Sequence, residues 1–94
     1  MVKKDVVVKI LTGLHARPAA NLVKLANNFH CNITLNKGPQ VINAKDIWEV
    51  LNGGIDSGDK IILICDGDDE NLALDKISTF MNDEEESWLW NIKV

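Results

Sequence analysis

Several features that would mark common protein classes are missing from this sequence. No apolar run approaches the roughly 20 residues needed to cross a bilayer, and Met1-Val2-Lys3-Lys4-Asp5 is not followed by the apolar stretch of a secretory signal. A membrane partner is therefore not expected. Basic residues are outnumbered, with 10 Lys and Arg against 14 Asp and Glu. The net charge of −4 argues against a nucleic acid or an anionic lipid surface as the main partner. Cysteine is scarce: Cys31 and Cys65 stand alone in apolar runs with no C-x-x-C spacing, and His15 and His30 lie far from any ligand spacing. Two buried, reduced thiols in a cytoplasmic protein are expected, with no metal and no disulfide. Neither histidine has a Ser, Cys or carboxylate partner at a recognisable spacing, which disfavours a small hydrolase. There is no internal repeat and no interdomain linker.

What remains is one domain, long enough at 94 residues for a single modest core. Val6, Val8 and Ile10 alternate with Val7 and Lys9 as in a strand, which Thr12-Gly13 breaks. The spacing then turns helical from about Ala16 to Asn28, with Ala19, Leu22, Val23 and Ala26 on one face. Pro18 is tolerated there because a first-turn N–H has no intrahelical acceptor to lose. Cys31, Ile33 and Leu35 alternate with Asn32, Thr34 and Asn36 as a second strand. Lys37-Gly38-Pro39 turns the chain, and Gln40 to Asn43 returns as a short third strand.

Asp46-Ile47-Trp48-Glu49 has capping-box spacing, with an acceptor at the N-cap and a glutamate three residues on. Ile47, Val50 and Leu51 supply a short apolar face, and Asn52-Gly53-Gly54 stops that helix. The apolar run within Lys60 to Cys65 reads as a central strand. Asp66-Gly67-Asp68-Asp69 offers caps for a last helix whose stripe is Ala73, Ile77, Phe80 and Met81, running to about Asp83. The order βαββαβα predicts an α+β fold with a four-stranded antiparallel sheet covered on one face by three helices. The strand order 1-4-2-3 makes every neighbouring pair antiparallel and puts the most hydrophobic strand inside.

The chemistry concentrates at the first strand-to-helix junction. A helix start presents unpaired N–H groups and partial positive charge, which suits an anion. A neutral imidazole such as His15 is a good nucleophile near neutral pH, and the P–N bond it forms with phosphate is labile enough to pass on. Arg17 can clamp phosphate oxygens, the N–H groups of Ala16 and Arg17 add backbone donors, and Gly13 allows a sharp turn or a close approach. On residues alone, His15 could equally be an N-cap or an exposed turn residue.

Gly13-Leu14-His15-Ala16-Arg17-Pro18-Ala19 resembles the active-site signature of HPr, the histidine-containing phosphocarrier family of the bacterial phosphoenolpyruvate-dependent sugar phosphotransferase system. The likeness covers about residues 2 to 84 and includes Asn43-Ala44-Lys45 and the acidic turn before the last helix. It implies an open-faced β-sandwich over residues 1–84, with 85–94 as a tail of unassigned conformation. It also implies a stoichiometric carrier that is not a turnover enzyme and needs no cofactor. His15 Nδ1 would accept a phosphoryl group originating in phosphoenolpyruvate from enzyme I, and would pass it to IIA proteins for sugar uptake. Arg17 would steady the phosphate.

The resemblance further places partner docking on the short helix and the start of the first, at Ile47, Trp48, Leu51 and Ala20. Trp48 could instead be a core residue. Where many members carry a serine phosphorylated by HPr kinase, this chain has Asp46, either a helix cap or a permanent charge mimic. His30 is given no role. The acidic run Asp83-Glu84-Glu85-Glu86 precedes Trp88, Trp90, Ile92 and Val94, whose alternation suits an edge strand, an extended helix or no fixed structure. A monomer is expected, with self-association through this segment left open. The competing reading is a regulatory HPr-like protein that binds a catabolite-control regulator, another transcription factor or a metabolic enzyme.

Overall fold

The computed structural model describes residues 1–10 and 13–82. Its elements are β1 (Val2–Val7), α1 (Ala16–Ala26), β2 (Cys31–Lys37), β3 (Gln40–Asn43), α2 (Ile47–Asn52), β4 (Lys60–Gly67) and α3 (Glu70–Met81). The four strands form one antiparallel sheet in the order β1-β4-β2-β3, as the element pattern predicts.

Register explains why the sheet has one dry face. Val6 pairs with Ile61, Ile33 with Cys65, and Leu35 with both Leu63 and Ile42. All of these are buried, since alternate side chains on a strand share a face and cross-strand neighbours stack in rows. The helices cover that face through Ala19, Leu22 and Ala26 of α1, Val50 of α2, and Ala73, Ile77, Phe80 and Met81 of α3. Val23 of α1 and Ile47 of α2 are only partly buried against this core. No helix among the described residues covers the opposite face of the sheet, and Ile62 in β4 is 41% exposed there. The apolar run of β4 is thus a strand with one buried side.

Boundaries differ from expectation where burial and pairing part company. The first alternation, Val6 to Ile10, does mark buried side chains, but the strand is Val2–Val7. Its partner β4 begins at Lys60, so the regular ladder ends at the Val7–Lys60 pair. Val8 instead donates to the Asp59 carbonyl and accepts from the Gly58 N–H, and the Lys9 N–H bonds the Met81 carbonyl. The first helix ends at Ala26, two residues early, because Asn27 takes the C-cap position and donates from its side chain to the Val23 carbonyl. The last helix ends at Met81 with Asn82 as its C-cap. Asp83, the acidic run and the tryptophan-containing segment lie outside the described residues.

Two caps work differently from the expected pattern. Asp46 accepts from the N–H groups of Trp48 and Glu49, but Glu49 reaches past the N-cap to accept from Asn43 N at 2.9 Å. This ties α2 to the end of β3. Asp69 stands at the N-cap of α3 without capping it; both of its carboxylate oxygens accept from His30 N, at 3.0 and 2.9 Å. The acid thereby anchors the start of β2 to the start of α3. Among the described residues, no helix is long and apolar enough to cross a membrane.

Candidate functional site

Gly13 sets the geometry of the junction before α1. Its φ is +69°, a backbone conformation that side chains with a Cβ rarely adopt. A Cβ built there would lie 2.7 Å from the Ile55 carbonyl oxygen and 2.8 Å from the Asp56 Cα, so the chain after α2 packs directly on this turn. Leu14 follows, 1% exposed, and its N–H donates to the same Ile55 carbonyl at 2.9 Å. With Leu14 driven into the core, the next residue is turned outward.

That residue is His15. It occupies the N-cap of α1 with extended backbone, φ −105° and ψ 173°, and its carbonyl accepts from Ala19 N at 2.9 Å. Its side chain does not cap the helix and is 60% exposed. Pro18 has no N–H, and Ala19 makes the first intrahelical bond, which leaves the N–H groups of Ala16 and Arg17 as the open donors of the first turn. Arg17 is exposed and has no ion-pair partner among the described residues. A cation at the positive end of a helix opposes the macrodipole by roughly 0.3–1 kcal/mol, a cost that a bound anion would reverse. The first turn of α1 thus carries an exposed imidazole, an exposed arginine and two N–H groups without intrahelical acceptors.

The structure adds a residue that no sequence pattern indicated. Asp56 places Oδ1 3.3 Å from His15 Nε2, across 41 positions of sequence. Only the fold brings the two together, so no spacing could have revealed the contact. Its loop is held by a chain of contacts: Asp56 N donates to Asp59 Oδ2 at 2.8 Å, and Lys37 Nζ lies 2.9 Å from that same oxygen. The Asp56 N–H and the Lys37 ammonium together hold the Asp59 carboxyl below the usual aspartate range.

The expected docking residues lie on α1 and α2, which pack side by side. Asn27 Nδ2 donates to the Lys45 carbonyl at 3.3 Å, tying the start of α2 to the end of α1, while the chain after α2 reaches Leu14. α2 therefore runs back along α1 toward His15. Leu51 stands at the end facing His15, and Asp46 stands about 7.5 Å of helix further away. Trp48 is 70% exposed, which overturns the reading of it as a core residue. Leu51 and Ala20 are exposed and Ile47 is half-buried. A shallow groove lined by Val41, Ile42, Trp48 and Glu49 continues the surface toward β3.

Elsewhere the titratable groups are structural. Cys31 and Cys65 are free and buried. Burial pushes the Cys65 thiol up to about 12, and burial followed by the neighbouring Asp69 raises Cys31 as well. Burial and the raised thiols both disfavour the reactive thiolate form in the folded state. No group of three or more His, Cys, Asp or Glu among the described residues could hold a metal ion.

Comparison with known proteins places this geometry. The family model described as the PTS HPr component phosphorylation site matches residues 2–83. The HPr-like protein Crh of Halalkalibacterium halodurans is 43% identical over 84 residues, covering 89% of this chain and all of that one. The crystal structure of phosphocarrier protein HPr from Bacillus anthracis superimposes with a TM-score of 0.83 at 36% identity, covering 85% of this chain and 95% of that one. An HPr dimer from Thermoanaerobacter tengcongensis gives 0.64 at 36% identity, covering 82% and 97%. The chain belongs to the HPr family of phosphocarrier proteins, which relay phosphoryl groups and are not themselves catalysts.

Proposed function

We propose that this protein accepts a phosphoryl group on His15 Nδ1 from phosphorylated enzyme I and passes it to IIA components for sugar uptake. The observation that carries the reading is the exposed His15 side chain at the start of α1, on the same helix turn as Arg17, which has no ion-pair partner among the described residues, and the open N–H groups of Ala16 and Arg17. In the transfer, the Nδ1 lone pair attacks phosphorus while the P–N bond to the donor histidine breaks. The second transfer reverses this at His15, with the acceptor's nitrogen lone pair forming the new bond. Arg17 and the two backbone donors hold the phosphoryl oxygens, which carry the charge throughout.

No resident cofactor takes part; the phosphoryl group comes from phosphoenolpyruvate through enzyme I. Trp48, Leu51, Ile47 and Ala20 form the surface on which enzyme I and IIA proteins dock, and the carrier works as a cytoplasmic monomer. Purified protein given phosphoenolpyruvate and enzyme I should gain one acid-labile, alkali-stable phosphate. His15→Ala should gain none; labelling of that variant would sink the assignment.

The likeness to an HPr-like Crh protein supports a second reading, in which the same surface serves a catabolite-control regulator, another transcription factor or a metabolic enzyme. The two differ in outcome: a regulatory protein would fail to pass its label to any IIA component.

A further inference from the structure

The loop that carries Asp56 is fastened to the site from two sides. The Ile55 carbonyl accepts from Leu14 N, and Gly13 leaves room for the Asp56 backbone where any Cβ would collide. On the other side, Asp59 accepts from Asp56 N and is itself held by Lys37, while Asp59 N donates back to the Asp56 carbonyl at 3.1 Å. None of these links uses the Asp56 side chain. Its carboxylate is left to one partner among the described residues, His15 Nε2, at 3.3 Å.

A neutral imidazole carries a single N–H, and a carboxylate can only accept. An acceptor at Nε2 therefore selects the tautomer with hydrogen on Nε2 and the lone pair on Nδ1. We propose that Asp56 is a positioning residue for His15, fixing the ring orientation and the tautomer in which Nδ1 is the nucleophile. The inference rests on the phosphocarrier reading of His15 and deepens it.

The step balances without any further reactant. Nδ1 forms its bond to phosphorus as the donor's P–N bond breaks, and the Nε2 proton stays in place. The ring becomes positively charged as that bond forms, and the Asp56 carboxylate on the opposite side offsets the charge. When the phosphoryl group leaves, the lone pair returns to Nδ1 and the ring is again neutral with its proton on Nε2. Both side chains are more than half exposed, at 60% and 66%, so water screens the pair. The effect expected is accordingly that of an exposed ion pair, about two- to fivefold in rate.

The test uses the full chain labelled with 15N at histidine, alone and then with phosphoenolpyruvate and enzyme I. The ring nitrogen shifts of His15 should report the Nε2–H tautomer in the parent protein and a more even mixture in Asp56→Ala. That variant keeps the backbone links of the loop, and its phosphorylation should slow about two- to fivefold. Asp56→Asn retains an oxygen that accepts from Nε2 and should keep most of the tautomer preference. An unchanged tautomer in Asp56→Ala overturns the proposal, as does a shifted tautomer with an unchanged rate. A loss in Asp56→Asn as complete as in Asp56→Ala also overturns it. Failure of the parent protein to be labelled would overturn the carrier reading instead, and the tautomer measurement, made without enzyme I, separates the two.

Discussion

Gly13 and Leu14 decide where His15 points. One supplies a left-handed turn with the Ile55–Asp56 backbone lying against it, and the other is buried and bonded to Ile55. Gly13→Ala adds a Cβ both to an unfavourable φ and to a space already filled by backbone, which cannot swing aside as a flexible side chain could. We expect a loss of about 1–3 kcal/mol in stability by chemical denaturation. Slower phosphorylation by enzyme I should accompany it, because the loop bearing Asp56 must move. His15 and Arg17 could be singled out together in the sequence because they lie within a single turn of helix. Asp56 was not, since its partnership is made by tertiary packing alone.

At the scale of elements, α2 shows how a six-residue helix can be held in place. Such a helix is too short to be stable on its own, and it depends on its cap and its ties. Asp46 caps the N–H groups of Trp48 and Glu49, Glu49 bonds Asn43 N, and only Val50 is fully buried. Asp46→Ala should cost about 1 kcal/mol, read by thermal or urea unfolding, while Asp46→Ser should cost little because serine caps as well. Comparing enzyme I phosphorylation rates of Asp46→Ser and the parent then separates cap from charge. A faster rate in Asp46→Ser marks Asp46 as a charge mimic, and an unchanged rate leaves it a cap. The placement of Asp46 favours the second outcome, since it lies about 7.5 Å of helix beyond the end of α2 that faces His15, a length comparable to the screening length of physiological salt.

The order of elements and most of the buried stripes could be read from periodicity. The end of β1 could not, because alternation records which side chains are buried and is blind to whether a ladder partner exists. Nor could the jobs of Glu49 and Asp69, whose spacing announced helix caps. Competition for their carboxylates came from backbone N–H groups that only the folded chain brings near.

Besides Asp56, three carboxylates among the described residues join distant parts of the chain. Asp69 ties α3 to the start of β2, Glu70 bonds Gly67 N and the terminal ammonium of Met1, and Asp59 joins Lys37 to the loop beside His15. All three are held below their ordinary values: Asp69 by the N–H of His30, Glu70 by the N–H of Gly67, and Asp59 by the N–H of Asp56. A carboxyl with a depressed folded value binds protons less readily folded than unfolded. Its contribution is therefore present in full above the unfolded values near pH 4, and it fades as pH falls through the folded values. Unfolding followed by circular dichroism should show stability falling steadily below about pH 4.5. Asp69→Asn should flatten that acid limb while lowering stability at neutral pH.

The frame around His15 also has a bearing on when the site comes into being. Ribosomal synthesis delivers residues 13–20 well before residues 55–59, yet the turn at Gly13 and the ring of His15 take their positions from that later stretch. A nascent chain that has released the motif but not the loop holds every residue of the signature without its geometry. The geometry around His15 thus depends on residues synthesised about forty positions later, and a fragment ending before them carries the signature without the contacts that frame it.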